Sequence, residues 1–254
     1  MIEFRNVSKG FNGRLVLKNL SFSVEEQSLI GLVGPSGVGK SVLLKLLGNI
    51  IQPDAGTIQR GDDARIGFLF QEGALFDSIT VLENVAFPLL DSGGQMRLKR
   101  SGQDGAKDRT TREEALERAY RVLEQVGLRR AALKYPGQLS GGMRRRVGIA
   151  RAVVSRPDIV LLDDPTGGLD PVAASVIIEL IKKLYSDYYP SVIMVSHDIR
   201  RLLPNVDRVL ALFDGHIVCD LAPRSLRDEA PSEVVHFLAT RFDFDSLGPS
   251  ASGN

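Results

Sequence analysis

One stretch decides the fold: Gly34-Pro35-Ser36-Gly37-Val38-Gly39-Lys40-Ser41. This phosphate loop (residues 34–41) has the spacing G-x-x-x-x-G-K-[ST], in which backbone N–H groups surround phosphate oxygens. An apolar run at 28–33 predicts a buried strand before the loop, and the apolar run at 42–47 predicts a helix after it. Because strand, glycine loop and helix occur in the order that such a loop requires, the sequence predicts a nucleotide-binding α/β fold.

The residue types in the phosphate loop predict its chemistry. Three glycines, Gly34, Gly37 and Gly39, let the backbone turn tightly and approach phosphate oxygens. The positive end of the following helix points at the same place. Lys40 can reach the β- and γ-phosphates as a point charge, and the Ser41 hydroxyl can ligate Mg²⁺. The predicted phosphate-binding residues are Gly34, Pro35, Ser36, Gly37, Val38, Gly39, Lys40 and Ser41.

Composition excludes several other classes of protein. The 254 residues are 43% hydrophobic and 25% charged, as in an ordinary globular protein. A net charge of +1 argues against bulk binding of nucleic acid, and we interpret Arg144, Arg145 and Arg146 as a helix face with ion pairs. A single cysteine, Cys219, excludes an internal disulfide and fits a reducing cytosol. The first residues lack a signal-peptide pattern, and no apolar run approaches the roughly 18 residues that cross a bilayer, so any membrane role is expected to depend on a partner.

Strand and helix patterns alternate around the phosphate loop. Strands at 2–7 and 16–24, with a turn at Asn12-Gly13, predict an antiparallel group. Residues 80–134 are helical in pattern, but the polar, charged stretch 91–111 predicts a flexible surface loop. Its basic cluster at 97–100 could touch anionic lipid headgroups, although a solvated loop is the favoured interpretation. Beyond residue 140 strands and helices alternate again, and disorder is predicted from 243 onward unless a partner binds there.

A second group of residues with phosphate and metal chemistry follows. An apolar strand ends in an acid at Ile159-Val160-Leu161-Leu162-Asp163, as in P-loop enzymes whose aspartate helps to hold Mg²⁺. Asp164 comes next, where a carboxylate could polarise an attacking water as general base. In Leu139-Ser140-Gly141-Gly142-Met143, Ser140 can cap the following helix while the glycines let the helix N-terminus approach a phosphate. Two such helix ends would meet one γ-phosphate more easily in a head-to-tail pair of chains.

These motifs together resemble the ABC ATPases, the nucleotide-binding subunits of ABC transporters, over nearly the whole chain. Residues 139–143 resemble the family's signature L-S-G-G-x, and Leu169-Asp170 resembles the loop that contacts the opposite subunit. The resemblance implies that Phe11 stacks on adenine. It further implies that Gln71 approaches Mg²⁺ and water, and that His197 contacts the γ-phosphate.

The resemblance implies an ATPase that uses ATP and Mg²⁺. Its expected catalytic residues are Asp164, His197, Gln71 and Lys40. The expected nucleotide-binding residues outside the phosphate loop are Phe11, Ser140, Gly141 and Gly142, and the expected Mg²⁺ ligands are Ser41, Gln71 and Asp163. Asp164 departs from the family, which usually has glutamate there. Because aspartate is shorter by about 1.5 Å, we expect it to act as the base with slow turnover.

Residues 71–89 are the most informative about the transported substrate. The sequences at 73–76 and 83–89, together with Met143, resemble the ATPase subunits of the Mla and MCE lipid transporters, which move phospholipid between the membranes of bacterial envelopes. In the family this segment meets the permease, so Leu75, Phe76 and Phe87 are expected to be exposed as a docking surface. The alternatives are an ATPase for lipoprotein release or small-solute uptake, or a soluble or regulatory ABC ATPase.

The resemblance also implies partners, a location and a domain plan. The expected assembly is a head-to-tail dimer of this chain beneath two permease subunits at the cytoplasmic face of the inner membrane, with an MCE-domain protein, a STAS-domain protein and no nucleic acid. The predicted fold is an ABC-type P-loop NTPase with a mostly parallel sheet core, an antiparallel β subdomain and an inserted α-helical subdomain. We predict one domain over 1–254: a core at 1–72 and 156–225, a helical subdomain at about 73–155, and a C-terminal extension at about 226–254. In that extension Phe242, Phe244 and Leu247 are either anchors for a partner or part of a frayed tail.

Overall fold

The computed structural model describes residues 1–61, 64–71, 73–90, 111–188 and 190–247. Its strands in these ranges are β1 (Ile2–Phe11), β2 (Arg14–Val24), β3 (Leu29–Val33), β4 (Ala55–Arg60), β5 (Ile66–Leu69), β6 (Ile159–Asp163), β7 (Ser191–Val195), β8 (Arg208–Phe213) and β9 (His216–Leu221). The α-helices in these ranges are α1 (Lys40–Leu47), α2 (Val81–Leu90), α3 (Arg112–Gln125), α4 (Gly141–Val153), α5 (Pro171–Tyr188), α6 (Ile199–Leu202), α7 (Leu226–Glu229) and α8 (Ser232–Ala239). The chain divides into a first unit, Met1–Gly61 with Ser191–Asn254, and a second unit, Asp62–Pro190.

A group of parallel strands lies in the first unit, with β3 between β7 and β8. The last strand, β9, pairs antiparallel with β8. Every residue of β3 and β7 is buried, which matches their continuous apolar sequences because a parallel strand is usually covered on both faces. The helix α1 follows β3 through the phosphate loop and buries four leucines, Leu43, Leu44, Leu46 and Leu47.

The first unit also contains the predicted antiparallel sheet, in the order β2-β1-β4. Asn12 and Gly13 form the turn between β1 and β2 with φ of 50° and 78°, the positive values that a two-residue hairpin turn needs. Phe4 and Phe22 lie directly opposite each other, and their rings stack with centroids 4.6 Å apart. This cross-strand pair fixes the register that buries one face of the sheet.

The second unit combines the parallel pair β5–β6 with the helices α2 to α5. All residues of β5 and β6 are buried. The helix α3 begins with a capping box in which Thr111 and Glu114 each accept a hydrogen bond from the other's backbone N–H. The helix is buried along the stripe formed by Ala115, Ala119, Val122 and Leu123.

Two predicted surface segments have different outcomes. Of the predicted loop at 91–111, only Thr111 belongs to the described residues; the basic cluster at 97–100 lies outside them. The prediction of disorder from residue 243 onward is wrong for residues 243–247, because Phe244–Leu247 form a 3₁₀ turn. The Phe242 and Phe244 rings meet edge to face at 5.9 Å, and Arg227 pairs with Asp245 at 2.6 Å. These contacts tie the beginning of the tail to the first unit.

Candidate functional site

The phosphate loop is shaped by its glycines. Gly37 and Gly39 have φ of 78° and 113°, a region of backbone space that glycine enters without steric cost. Gly34 passes so close to β8 that a Cβ atom there would lie 2.1 Å from the carbonyl oxygen of Leu212. A side chain at this position would force the loop away from the sheet, so the loop geometry depends on glycine here.

Lys40 lies inside the phosphate loop rather than on the surface. It is only 6% exposed, and its Nζ donates hydrogen bonds to the carbonyl oxygens of Gly34 at 2.8 Å and Pro35 at 2.7 Å. The N-cap of α1 is Gly39, and in the described part of the chain no side chain caps this helix. The ammonium group and the first N–H groups of α1 therefore belong to one small loop, which is the arrangement that binds phosphate at a helix N-terminus.

His197 leaves the sheet at the same edge as the phosphate loop. The parallel register aligns Leu32 of β3 with Val195 of β7, and neighbouring strands lie about 4.8 Å apart. Gly34 comes two residues after Leu32, and His197 comes two residues after Val195. The carboxyl ends of β3 and β7 therefore bring the predicted γ-phosphate histidine next to the predicted phosphate loop, as is usual for ligand sites in α/β sheets.

Phe11 is held at the end of β1 with its ring in solvent. It is 46% exposed, and Lys9 Nζ lies 5.5 Å from its ring centroid. Asp54 accepts from Lys9 Nζ at 2.5 Å and from the Gly10 N–H at 2.8 Å. The hydrogen bond from Lys9 is the main reason why the pKa of the Asp54 carboxyl lies below its ordinary value, and the bond from the Gly10 N–H lowers it further. A fixed, exposed aromatic ring suits the adenine-stacking role predicted for Phe11.

In the second unit, Gln71 and Asp164 follow two neighbouring strands in the same way. Leu69 of β5 is aligned with Leu162 of β6, and the two polar residues each come two positions later. Asp163 ends β6 and is buried. The structure thus groups the predicted Gln71, Asp163 and Asp164 at the carboxyl ends of β5 and β6.

Asp164 has an unusual backbone and a confined side chain. Its φ is 48°, in the left-handed region that aspartate enters more readily than glutamate. It is 6% exposed, and its carbonyl oxygen accepts from the Gly167 N–H at 3.2 Å. A Cβ atom on Gly167 would lie 2.2 Å from Asp164 Oδ2. The carboxylate therefore occupies space that only a glycine at 167 leaves open.

The signature residues begin α4, and the Ser140 side chain accepts from the Met143 N–H at 3.3 Å, as expected of an N-cap. The three arginines that follow donate hydrogen bonds to main-chain carbonyls. Arg144 donates to the Leu139 carbonyl at 2.7 Å and Arg146 to the Val126 carbonyl at 3.2 Å, while Arg145 reaches the carbonyl of Gly167 at 3.2 Å. Successive helix residues point in different directions, so each guanidinium group stabilises a different loop.

The helix α5 is capped by the side chain of Asp170, the residue that precedes it. Asp170 Oδ1 accepts from the N–H groups of Val172 at 2.9 Å and Ala173 at 3.0 Å, and Pro171 is the first helical residue. Proline at this position lacks an N–H group that the helix could not have used. The cap fixes Leu169 and Asp170 at the helix entrance.

Known proteins are similar to this chain over most of its length. The sequence profile of the family described as ABC transporter matches residues 17–167. The chain belongs to the ABC transporter family. It is 34% identical to the intermembrane phospholipid transport system ATP-binding protein MlaF of Haemophilus influenzae, over 96% of this chain and 92% of that one. It is also 34% identical to the sulfate/thiosulfate import ATP-binding protein CysA of Pseudomonas syringae, over 93% of this chain and 72% of that one.

A solved structure supports the same assignment. The dimeric, post-hydrolysis ATP-binding cassette MJ0796 bound to ADP and Pi matches 88% of this chain and 99% of its own length, with a TM-score of 0.73 and 32% identity. The predicted ABC-type P-loop fold is therefore confirmed. This ABC ATPase is the ATP-hydrolysing subunit of a transporter. Among the described residues no helix is long and apolar enough to span a membrane.

The groups predicted to hold Mg²⁺ in this ABC ATPase include a carboxylate and a hydroxyl. Within the ranges that the structure describes, no three His, Cys, Asp or Glu residues cluster so as to hold a metal ion. Mg²⁺ is usually held by one or two carboxylates together with substrate phosphates and water. One buried acid, Asp163, and one hydroxyl, Ser41, are the kinds of ligand that this requires.

Two contributors to the ABC ATPase site escaped sequence reasoning. Asp54, which braces the Lys9–Phe11 end of β1, lies 44 positions from Gly10, and a single carboxylate in a turn gives no signal. Gly167, which leaves room for the Asp164 carboxylate, stands in a Thr-Gly-Gly-Leu run that could have been recognised as a tight loop.

Proposed function

We propose that this ABC ATPase powers phospholipid transport between the membranes of a bacterial envelope, as a subunit of an Mla- or MCE-type transporter. Its match to the phospholipid-transport relative spans nearly the full length of both chains, whereas its match to the sulfate-import relative spans 72% of that chain. The resemblance of residues 73–76 and 83–89 to the same group adds to this support.

The observation that carries the proposal is therefore the near-full-length match to the phospholipid-transport relative. Structural support for a permease partner of either kind comes from the docking surface (Leu75, Phe76 and Phe87). Phe76 is 44% exposed, and its ring lies 4.7 Å from that of Phe87. Asn84 is fully buried; its side chain accepts from the Phe76 N–H at 2.8 Å and donates to the Phe76 carbonyl at 3.0 Å. The expected exposure therefore holds for Phe76, whereas Leu75 and Phe87 are half-buried. An aromatic ring held in solvent, as Phe76 is, is typical of a surface that another protein covers.

We propose a catalytic role for each predicted site residue. Lys40 and the N–H groups of the phosphate loop hold the β- and γ-phosphates, and Phe11 stacks on adenine. Asp164 accepts the proton of the attacking water, while Gln71 and His197 orient that water and the γ-phosphate. Mg²⁺, held with the help of Ser41 and Asp163, would neutralise negative charge on the phosphates.

We further propose that the complete site needs a second copy of the chain. The signature residues Ser140, Gly141 and Gly142 would approach the nucleotide of the partner copy in a head-to-tail dimer, and the D-loop residue Asp170 would contact that partner. Support comes from the dimeric state of the MJ0796 cassette. The dimer would stand beneath two permease subunits at the cytoplasmic face of the inner membrane, with MCE-domain and STAS-domain proteins as further partners.

A second candidate function is small-solute import. The sulfate-import relative is as similar in sequence as the phospholipid-transport relative, at 34% identity. In this case the same ATPase chemistry would serve a different permease, and the docking surface would recognise that protein instead.

The test is a mild-detergent pull-down of tagged chain with mass spectrometry of the bound proteins and lipids. A permease and an MCE-domain protein with co-purifying phospholipid are expected. A permease of the sulfate or amino-acid uptake type without phospholipid would refute the lipid assignment and leave the ATPase assignment intact.

A variant pair tests the docking surface in the same experiment. We expect Phe76→Asp to abolish capture of the permease, because a charge there would be buried in the interface. The matched control is Ile50→Asp, which alters an exposed apolar residue of the first unit. Equal capture by Phe76→Asp and the unaltered chain would show that the docking surface lies elsewhere.

A further inference from the structure

Arg151 is a buried arginine with main-chain partners. It lies in α4, is 9% exposed, and donates from its two terminal nitrogens to the carbonyls of Gly73 at 2.7 Å and Ala74 at 2.8 Å. Within the described ranges no carboxylate pairs with it. Burial lowers the pKa of this guanidinium below its ordinary value.

The loop that Arg151 binds has an unfavourable backbone. Gly73 and Ala74 both have positive φ, of 77° and 43°. For alanine this left-handed conformation is disfavoured, so something outside the loop must hold it. The two hydrogen bonds from one planar guanidinium orient both carbonyls at once.

The helix α4 contacts the chain on both sides of Gln71. Arg145 donates weakly to the carbonyl of Phe70 at 3.5 Å, immediately before Gln71, and Arg151 binds the carbonyls that follow it. A Cβ atom on Gly148 would lie 2.6 Å from Leu69 Cδ1, so α4 is packed tightly against β5 between these two arginines. Gln71 therefore stands in a short segment whose two ends are bonded to one helix.

Filling space alone would not select arginine at this position. An apolar side chain of similar length, such as methionine, would fill the space without the cost of burying a charge. What arginine adds is directional bonds to two adjacent carbonyls.

We propose that Arg151 is a positioning residue for Gln71: by holding the Gly73 and Ala74 carbonyls, it couples the signature helix α4 to the Gln71 segment. This inference rests on the proposed role of Gln71 in hydrolysis.

The first test measures the loop itself and does not depend on what Gln71 does. The Gly73 N–H donates to the Phe70 carbonyl at 2.8 Å, so its hydrogen exchange reports on this turn. In the full-length chain we expect Arg151→Met to speed exchange at Gly73 by at least about tenfold. The matched control is Arg146→Met, which removes an arginine–carbonyl bond from the same helix; it should affect Gly127 and leave Gly73 unchanged. Unchanged exchange at Gly73 in Arg151→Met would overturn the proposal.

The second test is a double-mutant cycle on ATP turnover. We expect Arg151→Met to lower kcat about tenfold with little change in KM. Combined with Gln71→Ala, it should add no further loss, because residues that act through one another are not additive. Losses that multiply would overturn the proposal. If Arg151→Met does not fold, Arg151→Lys keeps the charge with a single donor group, and both readouts should show intermediate effects.

The two tests separate the inference from the function on which it rests. If Gln71→Ala keeps full turnover, the proposed role of Gln71 is wrong. In that case exchange at Gly73 alone decides whether Arg151 holds the loop.

Discussion

The helices α1 and α4 both begin at a glycine-bearing loop, yet their N-termini are built differently. At α1 the N-cap is Gly39, the lysine that follows is buried, and in the described residues no side chain caps the helix. At α4 the Ser140 hydroxyl already accepts from the Met143 N–H, and both Ser140 and Gly141 are exposed. We propose that the first N-terminus binds phosphate together with its own cation, whereas the second is a capped surface that meets the nucleotide of an opposing chain.

This difference explains why the two glycine motifs have different residues beside them. A loop that encloses a phosphate needs glycine where its backbone crosses the sheet, as Gly34 does against Leu212. A helix end that meets a ligand from outside must be stable before the ligand arrives, and a serine cap provides that stability. Four predictions test this comparison.

The largest effect is expected at the buried lysine. Lys40→Met should reduce ATP turnover by about 10³-fold, because the charge that stabilises the phosphates is lost from an enclosed loop. Phosphate release under saturating ATP is the measurement. Lys45→Met, which changes an exposed lysine on the same helix, is the control and should retain turnover. Turnover of Lys40→Met within a few-fold of the unaltered chain would contradict the first half of the comparison.

The next effect concerns the acid in the same unit as α4. Asp164→Asn should lower turnover by about 10²-fold, because an amide cannot accept the proton of the attacking water. Asp187→Asn, at an exposed aspartate of the same unit, should have no effect. Asp164→Glu should raise turnover above that of the parent by placing the carboxylate further out, and should lower stability because glutamate tolerates the left-handed backbone less well. Asp164→Asn that hydrolyses ATP as fast as the parent would show that another residue is the base.

A smaller loss of ATP turnover is expected when the N-cap of α4 is kept but carries a negative charge. Ser140→Asp should preserve the helix, since aspartate is a good N-cap, and reduce turnover about tenfold by repelling phosphate. Mixing Ser140→Asp chains with Lys40→Met chains should then recover about a quarter of the parent turnover, because half of the dimers would hold one intact composite site. No recovery on mixing would argue against the head-to-tail arrangement.

The smallest effect isolates the cap itself. Ser140→Ala should destabilise the chain by about 1 kcal/mol through loss of the N-cap hydrogen bond. Thermal unfolding should show a decrease of roughly 2–4 °C for a chain of this size. Ser140→Asp is the matched comparison and should unfold at the parent temperature. An unchanged unfolding temperature in Ser140→Ala would mean that the Ser140 cap contributes nothing to stability.

Sequence reasoning located elements well where the signal was local. The strands β3 and β6 and the helix entrance at Ser140 follow from short patterns of apolar, glycine and capping residues. Sequence reasoning was less accurate where pairing between strands sets the bounds of an element. The strands β1 and β2 extend further than predicted, to Phe11 and Arg14, because the tight Asn12-Gly13 turn lets them pair to their ends. The carbonyls that Arg144, Arg145 and Arg146 bind belong to separate loops, which the sequence does not indicate.

The sequence by itself determined the phosphate loop, the acid-ended strand, the signature cap and the family, because each depends on hydrogen bonds and steric limits within a few residues. Only the tertiary structure decided that Gly34 must pass beneath Leu212, that Asp54 braces the end of β1 beside Phe11, that Gly167 makes room for Asp164, and that Arg151 holds the segment after Gln71. The physical reason is distance along the chain: a buried charge or a missing Cβ has meaning only when folding brings a remote carbonyl or carboxylate into contact with it.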